Sequence, residues 1–389
     1  MPIVNRIADF HADMTAWRHD IHAHPETAFE ETRTAARVAE LLESFGIAVE
    51  RGVAKTGVIG TLKGSAPGAR AIALRADMDA LHVHEKNGFG HASRNQGRMH
   101  ACGHDGHTTM LLGAARYLAE TRNFAGTIHF IFQPAEENEG GARVMVEEGV
   151  LARHPVEAVY GMHNWPGLPA GQFAIRPGPM MAAFDIFEIT VTGRGAHAAM
   201  PHLGIDPVVV AAQIVGGLQT IASRNTHPLQ GAVVSVTQIH GGDTWNVIPD
   251  EVVLRGTTRS FDPAVRDSIE PAIRRIAEGA AASLGASAAV RYERRYPPTV
   301  NSAAETEIAA SAAAELVGAG NVVRDPLPSM GAEDFAWFLQ EKPGAYIWIG
   351  NGEEGKSANL HNPHYDFNDE ILPLGASYWV RLAESVLAR

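Results

Sequence analysis

A single cysteine, Cys102, stands in the 389 residues, so no disulfide can form within the chain and the fold must rest on packing alone. A chain so poor in thiols fits a reducing compartment. Positive charge is also short: 32 Lys and Arg face 44 Asp and Glu, a net charge of −12. That balance disfavours nucleic acid or an anionic membrane as the main partner. Long apolar runs are missing too. The first residues, Met1 to His11, carry Asp9 and no uninterrupted apolar stretch, which argues against a signal peptide. The most apolar run, Pro207 to Gly217, is too short to span a bilayer and contains Gln213. A cytoplasmic protein is expected. No internal repeat or low-complexity tract is visible, and no G-x-G-x-x-G opens a helix after the first strand, which sets a dinucleotide-binding oxidoreductase aside.

What is present is ample apolar material, 45% of the residues, in a chain long enough for two domains. The spacing predicts a helix from Arg33 to Phe45, ended by Gly46, and another from Thr108 to Leu118. Val58–Leu62, Ala71–Arg75, Thr127–Phe132 and Ala345–Ile349 read as strands, the last two as buried ones. Strands alternating with helices predict an α/β domain with a mainly parallel sheet. From about residue 184 the pattern becomes strand, helix, strand, strand, helix, strand, the ferredoxin-like order. The expected division is 1–183 and 295–389 for one domain and 184–294 for an inserted one.

The 19 histidines are many for an acidic chain. His100, Cys102, His104 and His107 cluster in one short segment. If that segment is extended, Cys102 and His104 face the same side and can converge on one ion, and thiolate with imidazole suits zinc and similar divalent metals. Gly103 and Gly106 would let the backbone bend around it. Gln133-Pro134-Ala135-Glu136-Glu137 follows a buried strand, so adjacent carboxylates stand at a strand's C-terminal end, where open α/β sheets bind ligands. A ligand beside a general base is the expectation for that pair. His163, His361 and the acidic end of Arg75-Ala76-Asp77-Met78-Asp79 follow or flank other apolar runs. A convergent metal site explains this distribution economically.

These segments resemble, over nearly the whole chain, the metallohydrolase family of hippurate hydrolases, aminoacylases and indole-acetyl-amino-acid hydrolases, related to carboxypeptidase G and succinyl-diaminopimelate desuccinylase. Further marks are Trp17-Arg18-His19-Asp20-Ile21-His22, Gly195-Ala196-His197-Ala198-Ala199-Met200-Pro201, Asn246-Val247-Ile248-Pro249 and Met330-Gly331-Ala332-Glu333-Asp334-Phe335. The resemblance implies a metallopeptidase-like catalytic domain holding two divalent ions (Zn, Mn, Co or Ni), with the inserted domain as lid and homodimer contact. It implies Cys102, His104, Glu137, His163 and His361 as ligands, Glu136 as general base and Asp79 as the carboxylate that orients a ligand. His197 would steady the oxyanion, across the dimer in one arrangement, and Asn246 and Arg259 would contact substrate. The implied reaction is hydrolysis of the amide bond of a small N-acyl or N-aroyl amino acid. A dipeptidase, an aminobenzoyl-glutamate hydrolase or a non-catalytic metal-binding relative would carry much the same residues. One departure stands out: His82-Val83-His84-Glu85 occupies a stretch where the family commonly has Pro.

Overall fold

Four apolar runs become the centre of a sheet because helices cover both of their faces, which leaves almost no position along them for a polar side chain. The computed structural model describes residues 3–353, 355 and 358–389; Met1, Pro2, Glu354, Lys356 and Ser357 lie outside the described residues. The chain divides into two units, one of Met1–Met180, Val300–Leu327 and Asp334–Arg389, the other of Met181–Thr299 and Pro328–Glu333.

The first unit is an α/β structure on an eight-stranded mixed sheet. Its order is Ala48–Val53, Gly57–Lys63, Ala125–Gln133, Ala66–Asp77, Ala158–Gly167, Gly344–Glu353, Phe173–Ala174 and Val322–Val323. The four central strands, Ala125–Gln133 through Gly344–Glu353, run parallel. The first two strands and Phe173–Ala174 join antiparallel. Residues of Ala158–Gly167 and Gly344–Glu353 are buried at nearly every position until the strands end. The helix His104–Thr121 packs against the sheet and against the helices His11–Ala23 and Leu372–Val386, forming one core with Phe130, Tyr160, Ile347 and Trp379. Because the central strands are parallel, Asp77, Gln133, His163 and Trp348 all approach the same sheet end, the end at which such sheets gather functional side chains.

The second unit has a four-stranded sheet in the order Ala232–His240, Glu251–Ser260, Ala183–Thr192, Ser287–Tyr296, antiparallel throughout. Ala183–Thr192 alternates buried and half-buried residues, as a strand with one covered face must. The covering helices are Pro207–Thr220 and Pro263–Ser283. Each starts with Pro at its first position after an Asp cap: Asp206 accepts the Val208 N–H at 2.9 Å and Asp262 that of Ala264 at 2.7 Å. Ile189, Val191, Ile214, Leu218, Leu254, Ile269 and Ile273 form this unit's own core.

Candidate metal centre

Cys102 and His104 converge, but not through an extended segment. His104 is the first residue of the helix His104–Thr121, and Gly103 before it turns left-handed at φ 89°. The turn, not a two-residue repeat, brings the thiol and the imidazole together. A side chain at 103 would also strike Asn164 Nδ2 at 2.2 Å and the Tyr365 hydroxyl at 2.6 Å. Gly is thus required twice at this position.

Donor atoms from three other segments meet this pair. Cys102 Sγ and ring nitrogens of His104 and His163 lie within 4.8 Å of one another, as do Cys102, Glu137 and His361 donors and those of His104, Glu136 and Glu137. His163 Nε2 is 3.4 Å from Cys102 Sγ. Glu137 Oε1 stands 3.1 Å from His361 Nε2 and 4.0 Å from His104 Nε2. His361 reaches the site from a loop in which its own φ is +64° and its N–H donates to the Ala101 carbonyl at 2.8 Å.

Neighbouring groups fix which nitrogen of each imidazole is free. His163 Nδ1 lies 2.6 Å from the Asn164 carbonyl, which only accepts, so Nδ1 carries the proton and Nε2 turns a lone pair toward Cys102. His107 carries its proton on the same nitrogen. Its Nε2 accepts the Asn164 N–H at 2.9 Å, so its Nδ1 donates to Asp77 Oδ1 at 2.7 Å. His107 is therefore neutral and committed on both sides, and it supports the site from behind. Asn164 ties the arrangement together by donating to the Cys102 carbonyl at 2.7 Å and accepting from Tyr365 at 2.7 Å.

The loop Pro134–Glu137 is held by two carboxylates. Asp79 accepts the N–H of Glu136 at 3.0 Å and of Glu137 at 2.9 Å. Glu31 accepts that of Ala135 at 2.9 Å, where the backbone is left-handed at φ 54°. Glu136 Oε1 accepts the Asp334 N–H at 3.3 Å. Asp334 is itself fixed by Arg75 at 3.1 Å and Gln133 at 2.8 Å, and Arg75 also holds Asp77 at 2.7 Å. All these side chains are buried. Sequence reasoning gave no role to Glu31, Asp334, Asn164 or Tyr365, because each acts from a segment remote from the group it positions.

The charge of this set fits a cation. His104 Nε2 is buried without a hydrogen-bond partner, an expensive state for a protein left to itself. Burial raises the Cys102 thiol far above its ordinary value, and Glu137 and Glu136 push it further. Burial should lower His104, yet Asp77, Asp79 and Glu137 outweigh it and raise the imidazole to about 10. The carboxylates that raise both groups put surplus negative charge at one point; divalent ions would neutralise it and leave the thiolate and the imidazole free to ligate.

Of the remaining expected residues, His197 and Asn246 lie in the second unit and come together there. Val247 pairs with His197 in a two-stranded ladder, and the Ala198 N–H donates to the Asn246 carbonyl at 2.9 Å. Both side chains are exposed. Arg259, on the strand Glu251–Ser260, lies over the Phe184 ring at 4.2 Å, and its Nε donates to the Met330 carbonyl at 3.2 Å. His82 and His84 are exposed. His100 is buried, with both ring nitrogens unpartnered, and joins none of the donor groups found among the described residues. No helix among the described residues is long and apolar enough to cross a membrane.

Comparison with known proteins adds an independent line. Residues 73–385 match peptidase family M20/M25/M40. The chain is 42% identical over 381 residues to an N-acetylcysteine deacetylase of Bacillus subtilis, covering 97% of this chain and 98% of that protein. It is 38% identical over 383 residues to the hippurate hydrolase of Campylobacter jejuni, covering 98% and 99%. Among solved structures, the YXEP protein of Bacillus subtilis, described as a dinuclear metal-binding peptidase of family M20, superposes with a TM-score of 0.84 at 38% identity, covering 98% of this chain and 99% of that one.

Proposed function

The chain belongs to peptidase family M20/M25/M40, and on that footing we propose that it is a metal-dependent amidohydrolase that cleaves N-acyl or N-aroyl amino acids to a carboxylic acid and a free amino acid. The observation that carries this reading is the convergence of thiol, imidazole and carboxylate donors, most of them buried, on one point beside Glu136. The names of the relatives, a deacetylase of an N-acyl amino acid and a hippurate hydrolase, point the same way.

Cys102, His104, Glu137, His163 and His361 would hold two divalent ions. Thiolate, imidazole and carboxylate together accept Zn, Mn, Co or Ni, and supply in the cell decides among them as much as affinity does. When bound, the ions supply Lewis acidity, polarising the scissile carbonyl and bringing the pKa of water toward neutrality.

The chain's own groups do the rest. Glu136, oriented through Oε1 by the Asp334 N–H, takes one proton from the attacking water. The water oxygen bonds to the carbonyl carbon, the C–N bond breaks, and Glu136 returns the proton to the leaving nitrogen. Asp79 keeps both glutamates in register through their backbone N–H groups and stands 3.3 Å from His104 Nδ1, where it orients that ring. His197 would donate to the developing oxyanion, a contribution worth about 100–1,000-fold in rate. Asn246 and Arg259 would receive the substrate's carbonyl and carboxylate, a task for which the forked guanidinium is suited.

The sheet order and two covering helices of the second unit support reading it as a ferredoxin-like lid, and the proposed domain limits are 184–294 within 1–183 and 295–389. Self-association through this unit is favoured by the helix Pro207–Thr220, which carries no charged residue and exposes Val208 and Val209. A homodimer in a reducing cytoplasm, where Cys102 stays a thiol, completes the reading. The test is a panel of N-acyl amino acids assayed for free amino acid by ninhydrin, with and without Mn²⁺, Zn²⁺ or Co²⁺. Release from at least one substrate, dependent on metal, is expected; no release from any member with two ions bound would contradict it.

A further inference from the structure

Two tryptophans stand beside the metal centre, and nothing in the hydrolytic chemistry requires them. His163 and Trp165 are two residues apart on the strand Ala158–Gly167, so they share one face of the sheet. Their rings are 6.2 Å apart and edge-on, at 74°. In the neighbouring parallel strand Trp348 is the register partner of His163 and Gly350 that of Trp165. With no side chain at 350, the Trp165 indole lies over Trp348 instead, the rings 3.9 Å apart and 9° from parallel. A side chain at 350 would strike the Pro169 carbonyl at 2.0 Å.

Trp348 is 3% exposed, and its Nε1–H is buried without a hydrogen-bond partner. A phenylalanine would fill a core without that unmet donor, so the broad indole face is what the position retains. One face of Trp165 is thereby fixed against a rigid neighbour, while the residue as a whole is only half-buried. The result is a flat apolar surface, stacked on a buried neighbour and 6.2 Å from the ring of a candidate metal ligand.

We propose that Trp165, backed by Trp348, is the wall of the acyl subsite and selects planar aroyl or bulky acyl groups over acetyl. This rests on the amidohydrolase reading above. A planar ring gains both apolar burial and stacking on an indole, whereas an acetyl group is too small to reach either. The residue acts on substrate choice, not on metal binding or proton transfer.

The test compares hydrolysis of N-benzoylglycine and N-acetylglycine by wild-type and Trp165→Ala enzyme, each with metal content measured. Loss of the wall should lower kcat/KM for the benzoyl substrate about 10- to 50-fold. The acetyl substrate should change less than about threefold, with two ions still bound per chain. Trp165→Phe should keep most of the preference. The Kd of benzoate, read by calorimetry, should rise in Trp165→Ala by a factor similar to the loss in kcat/KM. Equal loss on both substrates, or loss of metal, would overturn the proposal. A changed preference among amino acids at constant acyl group would overturn it as well. Wild-type protein that binds two ions and cleaves no N-acyl amino acid would remove the amidohydrolase reading itself, a result visible before any variant is made.

Discussion

Asp79 accepts the backbone N–H of Glu136 at 3.0 Å on one carboxylate oxygen, and with the other it takes the N–H of Glu137 at 2.9 Å. One side chain thus sets the proposed base and a proposed ligand together, the first bond buried and the second partly so. Asp79→Ala leaves two amide donors without their acceptor and should cost about 2–4 kcal/mol of stability, read by chemical denaturation of the metal-free protein. Asp79→Asn keeps one acceptor oxygen and should fall between the two. Equal stability of Asp79→Ala and wild type would show that the loop holds itself.

Glu136→Gln removes the proton acceptor while preserving size and an oxygen for the Asp334 N–H. Turnover should fall about 100- to 10,000-fold, with metal content and the Kd for a product amino acid unchanged. Near-normal turnover would assign the proton transfer elsewhere.

Cys102→Ala takes away the sulfur that stands 3.4 Å from His163 Nε2. Metal affinity should drop by at least about 100-fold, since even groups behind the ligands cost 10- to 100-fold. Peroxide should inactivate the wild type, and a thiol reductant should rescue it if oxidation stops at the sulfenic acid. Unchanged metal stoichiometry in Cys102→Ala would make the cysteine a bystander.

Glu31 gives a pH signature. Burial first, and the Asp79 charge second, raise its carboxyl from 4.5 to about 7, against the pull of Thr56 and the Ala135 N–H. The folded value lies above the unfolded one, so the native state holds an extra proton between those limits, and stability falls as pH rises from about 4.5 to about 7. Above that window the penalty is constant. Glu31→Gln lacks it, so in metal-free protein the variant should gain on the wild type by roughly 3 kcal/mol across the window. Denaturation midpoints at pH 5 and 8 measure this; a gap that does not change with pH would contradict it.

The sheet was legible in the sequence wherever burial on both faces forces a continuous apolar run, as in Thr127–Phe132 and Ala345–Ile349. The strands Phe173–Ala174 and Val322–Val323, two residues each, carry no such signal. Cys102, His104, Glu136 and Glu137 were legible because they crowd into short segments. The geometry joining the first two was not, since the left-handed turn at Gly103 depends on Asn164 and Tyr365 filling the space a side chain would need. The supporting pairs were hidden by distance: His107 and Asp77 are 30 residues apart, Ala135 and Glu31 are 104, and Tyr365 and Asn164 are 201. A polar residue that positions another across such a span looks, in sequence, like any other polar residue.

Removing and restoring metal tests the central claim most directly. Protein freed of metal by chelation, then titrated with Mn²⁺ or Zn²⁺ while hydrolysis of an N-acyl amino acid is followed, should start without activity and reach full rate as two ions bind per chain. Full hydrolysis by protein that retains almost no metal would contradict the account.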